Sequence, residues 1–299
     1  MNSLSIPPNI LENVSLAPYT TWKVGGPARW LAEPAVDEVF TLVKWAQRQA
    51  IPVYYIGRGS NVLIDDAGLP GLVILTHGCA DELYREGGCI VAGSGVFLPH
   101  LSQFALREGF SGFEFLIGIP GTVGGALAMN AGLTVFRPRE MVSIVDTFDV
   151  LNSDGSIETL RMSEVGTGYR QTSLLDGKRF ILRGRFSLKE EDRGDPDEIR
   201  RHTFEHLSER KRKQPLDKPT AGSTFKSVPG GRGAGWYVDQ AGLKGFQVGG
   251  ARVSPVHANW IENMGGATAA DICQLMAHIQ GVVNARLEVC LEPEVRYLF

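Results

Sequence analysis

The chain has 299 residues, room for two or three packed units at roughly 100–200 residues each. Charge nearly balances, 30 Lys+Arg against 33 Asp+Glu, with 21% charged and 43% hydrophobic residues. That composition excludes a disordered chain and lacks the basic surplus of a nucleic-acid binder. Glycine is the outlier at 36 residues, about 12% against a usual ~7%. No Gly-X-Y period accompanies it, so collagen is excluded and the glycines must serve local chain geometry.

Cys79, Cys89, Cys273 and Cys290 form no Cys-x-x-Cys pair and no zinc-like spacing, so four free, mostly buried thiols and no metal site are expected. Residues 1–10 lack the basic start and apolar core of a signal peptide, and no apolar run approaches the ~20 residues that span a bilayer. A soluble, cytoplasmic protein is expected.

Residues 34–50 place Val36, Val39, Phe40, Val43 and Ala46 on one helical face. They lead into a short buried strand at 51–56. Gly57-Arg58-Gly59-Ser60-Asn61 then turns the chain into a second strand at 62–64. Further strands fall at 72–75 and 90–92, and a helix at 98–107. Between 115 and 132 apolar residues alternate with glycines without a clean period. Residues 144–160 read as a hairpin turning at 152–155.

Residues 189–197 are charged and punctuated by Gly and Pro, as at a domain edge. Asp195 and Pro196 open a helix that runs to about Lys213, with Asp195 as N-cap and proline at the first helical position. Its last turn, Arg210 to Lys213, is wholly cationic. A glycine-rich stretch at 219–235 and strand formers at 246–261 follow. Thr268 caps a long helix with Ile272, Leu275, Met276, Ile279, Val282 and Val283 inward, and a strand at 289–298 closes the chain. The fold class is α+β.

The Rossmann fingerprint fails at the first glycine cluster, because the third glycine position holds Val62 and a strand follows. The turn reads as an anion-binding nest of backbone N–H groups or as a plain hairpin. The second cluster, Gly118-Ile-Pro120-Gly121-Thr122 with Gly124-Gly125, reads as close backbone approach to a flat or phosphorylated ligand, or as a tightly crossed sheet. Two such clusters suit a dinucleotide cofactor. Ser223, flanked by Gly222, reads as a nucleophile, a proton donor or a cap; Gly-x-Ser-x-Gly is absent. His202 and His206 read as surface histidines. The cationic turn complements its helix dipole or meets a polyanion.

Together these pieces resemble one family, the UDP-N-acetylenolpyruvoylglucosamine reductases of bacterial peptidoglycan synthesis. They are Thr20-Thr-Trp-Lys-Val-Gly-Gly-Pro27, Gly57-Arg-Gly-Ser-Asn-Val-Leu-Ile64, Gly118-Ile-Pro-Gly-Thr-Val-Gly-Gly125, Met129-Asn-Ala-Gly132, Tyr169-Arg170, Gln214-Pro-Leu216, Ala221-Gly-Ser-Thr-Phe-Lys226, Ala241-Gly-Leu-Lys-Gly245, His257-Ala-Asn259 and Leu291-Glu-Pro-Glu-Val-Arg296. The order holds over about 275 residues.

The resemblance implies an FAD-binding fold of the vanillyl-alcohol-oxidase (PCMH) type. Two FAD-binding subdomains, 1–75 with a closing strand at 288–299 and 76–190, would precede a substrate-binding domain at 195–287. FAD would be held non-covalently by Gly57, Arg58, Gly59, Ser60, Asn61, Gly118, Pro120, Gly121, Thr122, Gly124, Gly125 and Asn130, and NADPH would reduce it. Hydride would pass from flavin N5 to the enolpyruvyl group of UDP-N-acetylglucosamine enolpyruvate, with Arg170 and Glu294 stabilising the charge that builds and Ser223 giving the proton. Lys226 or a water would assist Ser223. Arg210, Lys213, Lys226 and Asn259 would contact substrate.

The chain departs from the family pattern at 133–140, at Thr167 and Thr172, and at Ser227-Val228, and it resembles the short class that lacks the extra tyrosine loop. A monomer is expected, with no nucleic-acid or membrane partner. Two other classes share such a scaffold: a non-catalytic flavin or nucleotide-binding module, and an FAD oxidase acting on an alcohol.

Overall fold

The computed structural model describes residues 6–133, 138–188 and 190–299. Among the described residues two compact units emerge, one within 6–12, 30–58 and 71–210, the other of 13–29, 59–70 and 211–299. Both mix helices and strands.

In the first unit five antiparallel strands lie in the order Ile157–Leu160, Thr147–Leu151, Phe180–Ser187, Cys89–Gly93, Leu83–Glu86. The helices Leu98–Arg107 and Val123–Met129 bury Leu98, Leu101, Ala105, Val123 and Leu127 in one core with Ile90, Ala92, Phe148 and Phe186. Ala or Gly at Ala92, Gly93 and Gly124 keeps this layer thin: a Cβ on Gly124 would stand 2.8 Å from that of Ser94. A second core gathers Trp30, Trp45, Val43, Leu72 and Ile74, where the two indoles meet edge to face at 5.7 Å. Here Val53–Ile56 runs parallel to Leu69–Leu75.

Asp149 is the charged residue of the five-stranded sheet that burial should penalise most. It is 2% exposed, yet it accepts hydrogen bonds from Arg185 (2.7 Å), Arg183 (2.9 Å) and Thr159 (2.7 Å). Burial alone would raise its pKa; the two guanidiniums and the hydroxyl outweigh that and hold it at about 2. A carboxylate depressed on folding contributes stability above its unfolded pKa of about 4 and loses it as pH falls toward 2. Asp149→Asn is therefore expected to cost about 1–2 kcal/mol at pH 7, after discounting for the partly exposed arginines, and progressively less below pH 4. Denaturant melts of both proteins at pH 7 and pH 3 check this; an equal cost at the two pH values would contradict it.

In the second unit the strands Gln247–Val248, Ala251–Val253 and Ile261–Asn263 form an antiparallel sheet. The helix Ala269–Leu287 packs Ile272, Leu275, Ile279 and Val283 into a core with Trp22, Phe225, Val238 and Leu291. The expected Thr268 cap is present: its Oγ1 accepts from Asp271 N (3.0 Å), and Asp271 Oδ2 accepts from Thr268 N (3.1 Å). Asp66 adds a second carboxylate, accepting from the amides of Ala269 and Ala270. Trp22 is fully buried and donates to Ile261 O (2.7 Å), which explains one of the residues that carried the family resemblance.

Several elements differ from expectation. The 34–50 helix splits into a 3-10 turn, Val36–Glu38, and the helix Val39–Arg48. The closing strand shrinks to Arg296–Leu298, which pairs in parallel with Val62–Ile64. Residues 291–295 instead form an isolated bridge, Pro293 to Phe225, at a position where the missing proline N–H costs no bond. His206 is 5% exposed rather than at the surface, because Ile199, Thr203 and His206 are the inward face of Pro196–Lys213. All four cysteines are free, but only Cys79 is buried and Cys290 is exposed. Burial pushes the Cys79 thiol up to about 11, which leaves it unreactive. The expected readings of residues 1–5, 134–137 and 189 lie outside the described residues.

Candidate active site

The first glycine cluster is not a hairpin turn. The strands on either side of it belong to different sheets: Val53–Ile56 pairs with Leu69–Leu75, and Val62–Ile64 pairs with Arg296–Leu298. The loop is a crossing between sheets, and each glycine has a geometric cause. A Cβ on Gly57 would come within 2.7 Å of Thr122 Oγ1. Gly59 adopts φ +60°, and a Cβ there would lie 2.2 Å from the carbonyl oxygen of Tyr19. Thr21 N donates to Gly59 O (3.1 Å), so the segment 19–21 shapes this loop from outside it.

The second cluster is not a crossed sheet either. It is a 3-10 turn, Glu114–Gly118, followed by the short helix Val123–Met129, with Thr122 Oγ1 accepting from Gly125 N (3.4 Å). Gly59 to Asn61 belong to the second unit; within the first unit Gly57 thus lies against the Thr122 cap. Arg58 joins them, its guanidinium 4.6 Å from the ring of Phe97, which itself bridges Thr122.

Backbone donors remain unspent here. Among the described residues the N–H groups of Arg58, Gly121 and Thr122 in the first unit, and of Gly59 and Ser60 in the second, meet no backbone acceptor. Unpaired amides in succession are what a pyrophosphate requires. A Cβ on Gly118 or Gly125 would meet only the Arg210 or Thr122 side chain at 3.6–4.0 Å, so room exists for a flat group. Pro120 and Gly121 are half-buried beside them. The residues present fit a dinucleotide flavin.

Asn130 differs in kind. It is buried in the left-handed conformation (φ +42°) at the end of Val123–Met129. Its amide donates to Glu140 Oε2 (2.9 Å) and Gly168 O (3.2 Å) and accepts from Val142 N (3.0 Å). The side chain is spent on holding three chain segments together.

Those segments carry Arg170. Gly168 and Gln171 exchange backbone hydrogen bonds, so Tyr169-Arg170 form the tip of a tight turn. Arg170 takes φ +55°, a conformation that costs a non-glycine residue about 1–2 kcal/mol. Its side chain is 9% exposed and donates to Gly132 O (2.5 Å) and Glu140 Oε1 (3.4 Å). Its guanidinium also lies 4.8 Å from the Tyr169 ring. Glu140 was not singled out by sequence reasoning. It ends a run that departs from the family pattern, and only its distance to Arg170 reveals it. The departures Thr167 and Thr172 have local duties: they donate to Met162 O and Ala128 O.

The second unit holds Ser223 and Glu294 close together. Ser223 bridges Trp260 and caps no helix, which removes the capping alternative. Its hydroxyl is half-buried and has no hydrogen-bond partner among the described residues. Glu294 N donates to Thr224 O (2.8 Å), and Lys226 N to Glu292 O (2.8 Å), a short antiparallel ladder around Pro293. Asn61 joins this ladder, donating to Glu294 O (3.1 Å) and accepting from Arg296 N (3.0 Å). Lys226 does not reach Ser223; its ammonium pairs with Glu292. Asn259 is buried, and its side-chain amide is taken up by the backbone of Phe225. His257 Nδ1 accepts from Asn259 N (3.2 Å), and burial, with Lys244 and Lys213 nearby, lowers its pKa.

Lys213 is exposed at the end of its helix. Arg210, in the same last turn, donates to Gly118 O, so it anchors the second glycine cluster from the first unit. Among the described residues no group of three or more His, Cys, Asp or Glu is placed to hold a metal. No helix among them is long and apolar enough to cross a membrane.

An FAD-binding domain model matches residues 32–161, the stretch that contains both glycine clusters. This makes the chain a flavin-binding protein. A second model, the C-terminal domain of UDP-N-acetylenolpyruvoylglucosamine reductase, matches residues 214–298. UDP-N-acetylenolpyruvoylglucosamine reductases from Synechococcus sp. (strain WH7803) and Prochlorococcus marinus (strain MIT 9313) are 40% and 43% identical, over 96% and 95% of this chain and 92% of each relative. The crystal structure of the reductase (MurB) from Thermus caldophilus superposes with a TM-score of 0.79 at 36% identity, over 96% of this chain and 98% of that one. The chain belongs to the UDP-N-acetylenolpyruvoylglucosamine reductase family.

Proposed function

We propose that this chain, with bound FAD and NADPH as reductant, reduces UDP-N-acetylglucosamine enolpyruvate to UDP-N-acetylmuramate in peptidoglycan synthesis. The observation that carries the reading is the end-to-end match to reductases of that name, 96% of this chain against 92% of the relative. Gly57 to Asn61, together with Gly118, Pro120, Gly121, Thr122, Gly124 and Gly125, would hold the cofactor, the unspent amides receiving its pyrophosphate. Asn130 supports this cradle by fixing the segment that follows it. When bound, FAD supplies the hydride for the terminal carbon of the enolpyruvyl group.

The chain's own residues then carry the rest. Negative charge builds on the carbon next to the substrate carboxylate as that hydride arrives. A fixed cation aimed there stabilises the transition state more than the ground state. Arg170 is that cation, and Glu294 helps organise the developing enolate. Ser223 gives its hydroxyl proton to the carbon beside the carboxylate. Serine is a weak acid, so the proton must be replaced from solvent, which a half-exposed hydroxyl with no hydrogen-bond partner among the described residues allows. Lys213, with Arg210 in the same cationic turn, meets the substrate diphosphate.

The division into two FAD-binding parts (1–75 with 288–299, and 76–190) and a substrate-binding part (195–287) goes with this reading. So does a monomeric enzyme in the bacterial cytoplasm. The purified protein is expected to be yellow, to bleach anaerobically with NADPH, and to regain its colour on adding UDP-N-acetylglucosamine enolpyruvate. An alcohol oxidase would regain it with oxygen alone, and a binding module would never bleach.

A further inference from the structure

Asn259 has a place in the second unit that substrate contact does not explain. The segment carrying Ser223 is held on one edge by Glu292 and Glu294, as described above. On the other edge Thr224 N donates to Asn259 O (2.8 Å), and there the backbone ladder stops. The Asn259 side chain continues it. Phe225 N donates to Asn259 Oδ1 (3.0 Å), and Asn259 Nδ2 donates to Phe225 O (2.8 Å).

One carboxamide thus supplies the donor and acceptor that a neighbouring strand would offer to Phe225. Phe225 is 1% and Asn259 6% exposed, so water cannot stand in, and losing either bond leaves a buried backbone group unpaired. The backbone N–H of Asn259 donates in turn to His257 Nδ1.

We propose that Asn259 is a positioning residue for the protonation step: its amide clamps Phe225 and thereby sets Ser223 and Glu294, joined to the same short segment, in register with each other. It is then not a substrate contact. The inference rests on the reading of Ser223 as proton donor. It follows from connectivity, since Thr224 lies between Ser223 and Phe225 and its carbonyl receives the Glu294 amide.

The test uses the holoenzyme and the variants Asn259→Asp and Asn259→Leu. Asp keeps the shape but lacks the donor to Phe225 O; Leu keeps the volume and lacks both groups. A core variant of the same unit, Ile272→Val, loses a few degrees of Tm and leaves the hydrogen bonds of the segment in place. Four quantities are measured: the rate of flavin bleaching by NADPH, the Kd for UDP-N-acetylglucosamine enolpyruvate from the flavin spectrum, the rate of recolouring at saturating substrate, and amide hydrogen exchange of peptides spanning 221–226.

In both Asn259 variants recolouring is expected to slow about 10- to 100-fold, with bleaching and Kd within about threefold of the parent. Exchange should rise in 221–226 and not in 269–287. Ile272→Val should leave recolouring unchanged. A Kd raised tenfold with recolouring intact would overturn the proposal in favour of substrate contact. Equal slowing in Ile272→Val, or unchanged exchange in 221–226, would overturn it too. If a variant loses FAD, the exchange measurement still decides. A parent protein that substrate does not recolour would overturn the functional reading itself, and this proposal with it.

Discussion

Ser223→Ala is expected to leave flavin reduction by NADPH at the parent rate and to slow recolouring by substrate about 10²–10⁴-fold, the range for loss of a positioned general acid. The selectivity is the informative part. The Ser223 hydroxyl makes no hydrogen bond to another described residue, so its removal breaks none among them and should leave Tm within about a degree of the parent. A slow second half-reaction in a fully stable protein points to the missing proton. Fast half-reactions in both directions would remove Ser223 from the mechanism. Ser223→Cys, which restores a more acidic proton donor, should recover part of the rate.

Arg170→Lys is expected to lower the recolouring rate about 10²–10³-fold, again without slowing reduction by NADPH. The change keeps the charge, so the size of the effect tests geometry. The Arg170 guanidinium is a planar fork that reaches Gly132 O and Glu140 Oε1 at once; an ammonium on a flexible stem cannot keep both partners and a fixed aim at a substrate carboxylate. Because this interaction strengthens as charge develops, kcat should fall more than KM rises. A loss confined to KM would mean that Arg170 only binds substrate. Rapid-mixing measurements of both half-reactions over a range of substrate concentrations separate the two cases.

Much of the fold was legible locally. The helix 98–107, the Thr268 cap and the hairpin between Thr147–Leu151 and Ile157–Leu160 follow from periodicity, capping chemistry and turn residues within a short window. The catalytic candidates were legible from motif order, and Ser223 and Glu294 fall on facing segments of one ladder. What the sequence hid was non-local. Gly57 is small because Thr122, 65 positions on, packs against it; Gly59 because the chain at Tyr19 crosses it. Composition detected close approach but could not say whether a ligand or the chain itself approaches, and here several approaches are by the chain. The partner of Asn259 was hidden for a related reason. A polar residue in a family motif suggests ligand contact, and nothing local marks the backbone group 34 positions away to which its side chain donates. Glu140 was invisible because no local pattern marks a carboxylate that meets its arginine 30 positions later.

The most direct test of the account is product analysis under anaerobic conditions. Purified holoprotein is incubated with NADPH and UDP-N-acetylglucosamine enolpyruvate, and the nucleotide product is identified by mass spectrometry. The account predicts one UDP-N-acetylmuramate, heavier than the substrate by two hydrogens, for each NADPH consumed. NADPH consumption that requires oxygen and leaves the enolpyruvyl group intact would contradict it.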